Sequence, residues 1–86
     1  MYKDYIESIR QKRPENKWFK DSERHHVVPR CLGGSDDPNN MIYLTYREHF
    51  IAHKILAESN PGTHKLVNAF WRMCNKDREC SLKIMS

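Results

Sequence analysis

Along the first dozen residues, Tyr2, Tyr5, Ile6 and Ile9 recur at the i, i+3, i+4, i+7 spacing of one helix face, with polar residues between them. The pattern predicts an amphipathic helix over residues 1–13, ended by Pro14, because a proline disfavours helical backbone in the residue before it. Residues 15–23 are polar apart from Trp18 and Phe19, which this reading places against the core. The periodicity then changes. Arg24-His25-His26-Val27-Val28 is a short β-prone run stopped by Pro29, and Met41-Ile42-Tyr43-Leu44 is a second. Residues 32–40, Leu-Gly-Gly-Ser-Asp-Asp-Pro-Asn-Asn, carry several turn signals in succession, so the two runs predict a hairpin.

Thr45-Tyr46-Arg47-Glu48 has the form of a capping box, which starts a helix directly after the second strand. On that helix His49, His53 and Leu56 share a face flanked by Ala52, while Ile51 and Ile55 lie nearly opposite. Such a helix should be sandwiched between the hairpin and a further helix. Asn60-Pro61-Gly62 breaks it, and Thr63 is a suitable N-cap for the next. There Leu66, Val67, Phe70, Met73 and Cys74 form one stripe over residues 64–75, and Phe70 and Trp71 are expected in the core. From Asp77 to Ser86 the pattern dissolves.

Eighty-six residues suit one α+β domain: a helix over 1–13, a hairpin and helix over 23–58, a helix over 63–75 and a tail over 77–86. A core this small often needs a metal or a partner to be comfortably stable. No apolar run approaches the roughly 18 residues of a membrane span. Met1-Tyr2-Lys3-Asp4-Tyr5 lacks the apolar core of a signal peptide, which points to the cytoplasm. The net charge is +4, and it is unevenly spread. Residues 1–30 hold eight Lys/Arg against five Asp/Glu, residues 63–86 five against two, and residues 31–62 two against four. Basic flanks around a histidine-rich centre suit a polyanion. Three cysteines without a C-x-x-C pair exclude a four-cysteine zinc site and read as reduced thiols, leaving open a mixed site that uses Cys31.

Four of the five histidines form one arrangement, the adjacent His25 and His26 and then His49 and His53 one helical turn apart; His64 lies outside it and reads as a surface residue. Imidazoles at i and i+4 leave a helix in the same direction, and imidazole is the commonest metal ligand. The set can offer three nitrogens to a divalent ion and a fourth imidazole as a base. An H-x-x-x-H pair alone is more often core packing, and Phe50 after His49 excludes the H-E-x-x-H of zinc proteases. Neighbours on an ideal strand face opposite ways, so His25 and His26 can serve one site only if the strand ends or is irregular there.

Residues 23–53 resemble the HNH endonuclease motif: the His-His-Val-Val-Pro opening, Gly33-Gly34, Asn39-Asn40 before the second strand and the H-x-x-x-H helix stand in its order. The following helix, with Ala69-Phe70-Trp71-Arg72-Met73-Cys74-Asn75, resembles phage-type HNH proteins, including homing endonucleases. Those often continue into a C-terminal DNA-binding region, which is missing here, as in a truncated or naturally short form. The resemblance implies a ββα-metal fold and metal-dependent hydrolysis of DNA phosphodiesters, by nicking or, through a dimer or two events, by cutting both strands. It implies that His25, His49 and His53 hold the metal, as in the three-histidine site of bacteriocin-type HNH nucleases. An all-imidazole set shifts preference from Mg²⁺ towards Zn²⁺, Ni²⁺ or Mn²⁺. His26 would be the general base, and Asn40 would tie the long loop to the hairpin and hold His26 in place. Glu23 would orient an imidazole, and Arg24, Arg30, Arg47 and Lys54 are candidates to hold phosphate. Two rivals share this fold. One is a non-catalytic DNA-binding module closed around zinc by a fourth ligand, Cys31 or His26. The other is a phage packaging or regulatory nuclease active only on a partner protein.

Overall fold

The computed structural model describes the backbone of residues 1–85 and the side chains of residues 1–75. The first apolar stripe forms helix α1 (Tyr2–Lys12), with Ile6 and Ile9 buried and Tyr2 and Tyr5 packed beside them. The helix stops at Arg13, whose φ of −134° is what the residue before a proline adopts. Strands β1 (Glu23–His26) and β2 (Met41–Leu44) pair antiparallel with Glu23 opposite Leu44 and His26 opposite Met41. Helix α2 (Tyr46–Ser59) follows, then α3 (His64–Met85). This is the expected α+β arrangement, with a ββα unit between two flanking helices.

Ile42, Leu44, Ala52, Ile6 and Ile9 make one core cluster, and α2 packs on the hairpin, α1 and α3. Ile42 and Leu44 are almost wholly buried, which stabilises the fold by about 2 kcal/mol each. A register slip of one residue would turn both to solvent. Because His25 is paired with Ile42, the same packing fixes which way His25 points.

The capping box forms as expected: Thr45 Oγ1 accepts from Glu48 N–H, and Glu48 Oε1 accepts from Thr45 N–H at 2.9 Å. Glu48 is also buried and takes a two-pronged ion pair from Arg13, with Lys12 at 3.4 Å, so one carboxylate joins the end of α1 to the start of α2. Burial alone would raise its pKa. The hydrogen bonds from Arg13 and Thr45, with the charges of Arg13 and Lys12, outweigh burial and hold the carboxyl below its ordinary value. Removing Arg13 would leave this carboxylate with Lys12 and the Thr45 N–H, and the lost charged hydrogen bonds should lower stability by about 2 kcal/mol, read as a lower urea midpoint.

Four features differ from expectation. The first strand ends at His26 instead of Val28, because Asn40 takes up the next backbone groups: Val27 N–H donates to its carbonyl and Val28 N–H to its side-chain oxygen. Trp18 is 68% exposed, since the space under α1 is already filled by isoleucines and Leu44, and only Phe19 is half-buried, beneath the Arg13 guanidinium. Trp71 is 61% exposed because it stands 100° off the stripe on which Leu66 and Phe70 lie, with Phe70 half-buried against Phe50. Finally, α3 continues to Met85, as no glycine or proline follows Gly62 to stop it. The side chains of the expected tail over 77–86, Cys80 included, lie outside the described residues. Among the described residues no helix is long and apolar enough to cross a membrane.

Candidate metal centre

His25 leaves the inner face of β1, while His49 and His53 leave one face of α2 where it crosses the hairpin. Each offers a ring nitrogen, and the three nitrogens lie within 4.8 Å of one another. The ring centroids form a near-equilateral triangle, at 5.0 Å from His25 to His49, 5.0 Å from His25 to His53 and 4.7 Å between the helical pair. Three residues expected to share an ion are therefore brought together. Cys31 is exposed and is not one of the group, and His64 is exposed on α3.

Hydrogen bonding selects the tautomers. The Tyr2 hydroxyl has one hydrogen, which it donates to Val27 carbonyl at 2.6 Å, so it accepts from His25 Nε2–H at 2.8 Å and leaves the lone pair on Nδ1. Burial pushes the Tyr2 hydroxyl pKa well up, with Arg10 pulling the other way, so that hydrogen stays in place. Glu23 Oε1 accepts from His49 Nδ1–H at 2.9 Å and leaves the lone pair on Nε2. Oriented imidazoles with a carboxylate or hydroxyl behind them are the usual setting of metal-ligating histidines.

The donor set fits a divalent ion on two counts. His49 Nε2 and His53 Nε2 stand 3.1 Å apart, close to the roughly 3.3 Å expected of two nitrogens on one tetrahedral zinc. With Nε2 turned to that pair, His53 carries its hydrogen on Nδ1, which is buried with no hydrogen-bond partner among the described residues. His25 and His53 also resist protonation. Burial, helped by the neighbouring histidines, lowers the His25 pKa to about 3, and burial with His49 lowers that of His53 to about 4.

Those shifts set a pH dependence. Both folded values lie below the ordinary 6.5, so at acid pH the unfolded chain binds protons that the metal-free fold does not. Stability is therefore fully present above about pH 6.5 and falls as the pH drops towards the folded values, by up to about 1.4 kcal/mol per pH unit for each imidazole. Urea unfolding in EDTA should show a lower midpoint at pH 5 than at pH 7. Equal midpoints would mean that His25 and His53 are not buried in neutral form.

His26, the last residue of β1, turns away from the triangle but lines the same cleft of about 170 Å³ as His25, His49, His53, Pro29, Arg24 and Arg30. The strand end expected for adjacent histidines to share a site is thus present. Its Nε2 lies 2.8 Å from Asp36 Oδ1, and Arg30 donates to the same oxygen from Nε at 3.0 Å and from Nη2 at 2.7 Å. An ionised carboxylate cannot donate, so His26 carries its hydrogen on Nε2 and its lone pair on Nδ1. Hydrogen bonds from His26 and then Arg30 hold the Asp36 carboxyl below its usual range, which keeps it ionised.

Asn40 clamps the loop on which this depends. Its amide nitrogen donates to Val28 carbonyl at 3.0 Å and Ser35 carbonyl at 2.8 Å, while its oxygen accepts from Val28 N–H at 2.9 Å. The turn before it is a short 3-10 segment, Pro38–Asn40, capped by the Asp37 side chain. Of the four basic candidates, Arg24 and Arg30 line the histidine cleft. Arg47 instead borders a separate hollow with Tyr46, Phe50 and Ile51, and Lys54 is exposed on α2 outside the cleft. Sequence reasoning did not single out Tyr2 or Asp36. Tyr2 looked like one more apolar-stripe residue, although a tyrosine buried on such a stripe needs a partner for its hydroxyl. Asp36 gave no signal among the acidic and turn residues of its loop.

No family model matches the chain, and no solved structure matches it either. Curated proteins of Enterobacteria phage T4 do. Probable mobile endonuclease E is 44% identical over 75 residues, covering 87% of this chain and 50% of that protein. Probable mobile endonuclease D is 46% identical over 54 residues, or 63% of this chain and 21% of the relative, and probable mobile endonuclease C is 47% identical over 53 residues, or 62% and 24%. The chain thus spans about half the length of the E protein or less of the others, and within that span it is similar to phage proteins named as probable mobile endonucleases.

Proposed function

We propose that the chain is a metal-dependent endonuclease of the HNH type that hydrolyses phosphodiester bonds of DNA. The observation that carries the reading is the three-histidine triangle opening into a cleft beside a fourth, separately oriented histidine. Similarity to the phage T4 proteins named as probable mobile endonucleases supports the nuclease class. His25, His49 and His53 would hold a divalent ion, which when bound supplies charge stabilisation to the phosphate and to the departing oxygen. Glu23 and Tyr2 keep two of those rings in ligating tautomers.

His26 is the general base. Asp36 holds its Nε2–H, so Nδ1 is the atom that takes a proton from the attacking water. Asn40 fixes the backbone after His26 and so the position of the ring. Arg24 has no carboxylate partner among the described residues and is the cation free to meet a phosphate at the rim, whereas Arg30 is already committed to Asp36. Among the described residues the cluster holds three donors, which suits an open catalytic site better than a closed four-ligand structural one.

Incubating supercoiled plasmid with the chain and Mg²⁺, Mn²⁺, Ni²⁺ or Zn²⁺ tests the proposal. One site per chain should give nicked circles before linear product, with at least one ion, and EDTA should stop the reaction. Intact plasmid with every ion, from a folded protein shown to bind metal, would overturn the nuclease reading in favour of a structural site.

A further inference from the structure

The end of α1, the α1–β1 connection and the 38–43 stretch enclose an open groove of about 630 Å³. Its walls hold Trp18, Tyr43 and Arg10, and it shares Asn16, Pro38 and Tyr43 with a smaller hollow of about 290 Å³ that reaches Arg24. Arg24 in turn lines the histidine cleft. The three depressions thus adjoin one another in a line, a trough whose steps pass from the metal centre by Arg24 and Tyr43 to Trp18 and in which Arg24 borders both the cleft and the middle hollow.

The chemistry along this trough is that of a nucleic-acid strand site. Arg10 and Arg24 have no carboxylate partner among the described residues, so their charge is available to phosphates. The two carboxylates along the way are already engaged, Glu15 with Lys17 at 3.5 Å and Asp36 with His26 and Arg30. Trp18 offers a ring 68% exposed to solvent, held in a connection whose neighbour Asn16 is hydrogen-bonded to β2 at Met41 carbonyl (2.7 Å) and Tyr43 N–H (3.1 Å). Exposed aromatic rings between cations are what sugars and bases stack on.

We infer that a DNA strand leaving the cleavage site follows this trough, with its phosphates at Arg24 and Arg10 and a nucleotide ring against Trp18. The inference rests on the nuclease reading for its ligand, but it assigns residues that the reaction itself does not use. Trp18 and Arg10 bind, and they touch none of the reacting atoms.

The test follows a fluorescein-labelled duplex oligonucleotide with a single-stranded extension by anisotropy and Trp18 by its own emission, in the Trp71→Phe protein so that one indole reports. Titrations are run in EDTA and, in the His26→Ala background, with Mn²⁺. Trp18 emission should change with the same midpoint as the anisotropy. Trp18→Ala and Arg10→Ala should each raise Kd about tenfold, with Trp18→Phe restoring most of the loss. Saturable DNA binding with unchanged Trp18 emission, and with Kd unmoved by both alanine variants, would overturn the trough while leaving plasmid nicking intact. No DNA binding by the unmodified chain under either condition would overturn both the trough and the nuclease reading.

Discussion

His26→Ala should slow plasmid nicking by about 10²–10⁴-fold, the range that a positioned general base contributes. The same variant should keep its metal, because His26 is not one of the three clustered histidines and its ring is turned to Asp36. The two effects can be separated by measuring nicking beside the rise in unfolding temperature on adding Mn²⁺. Asp36→Ala should fall between wild type and His26→Ala, since the imidazole remains but loses the carboxylate that orders it. If His26→Ala nicks within a factor of ten of wild type, the base lies elsewhere. If it loses metal as well as activity, His26 belongs to the ligand set instead.

Gly34→Ala should destabilise the fold by at least about 3 kcal/mol and abolish nicking with it. A Cβ at Gly34 would stand 1.7 Å from Val28 carbonyl oxygen, 2.5 Å from its carbon and 3.0 Å from Asn40 Nδ2. Those are the atoms through which Asn40 ties the loop to the end of β1, so the backbone must open at the point where His26 is held. Gly62→Ala is the control, because a Cβ there meets nothing within 4 Å, and it should stay within about 0.5 kcal/mol of wild type. Urea unfolding of the two variants side by side decides the matter. Equal midpoints would show that the loop does not pass so close to Gly34.

The elements legible in the sequence were those written in local periodicity. Ile6 and Ile9 on α1, the Thr45–Glu48 box at the start of α2 and the Leu66 stripe of α3 each depend on residues a few positions apart, and each is where spacing put it. The histidine triangle was legible because two of its members share one helical turn and the third sits in a strand. What was hidden depends on distance along the chain. Tyr2 reaches His25, Arg13 reaches Glu48 and Asn16 reaches Tyr43, pairings separated by 23, 35 and 27 residues that no local pattern announces. Trp18 and Trp71 misled for the opposite reason. Their apolar character says that burial would be favourable, but not whether a core this small has room.

The hydrogen bonds of β2 bear on how such a chain behaves when crowded. Met41 N–H goes to Pro38 carbonyl, Met41 carbonyl and Tyr43 N–H to the Asn16 side chain, and Tyr43 carbonyl to Arg13. The outward row of this strand is thus spoken for, and a second hairpin finds nothing there to zip onto. Copies brought close together must meet through surfaces other than this edge, so crowding does not extend the sheet from β2 into a cross-chain ladder.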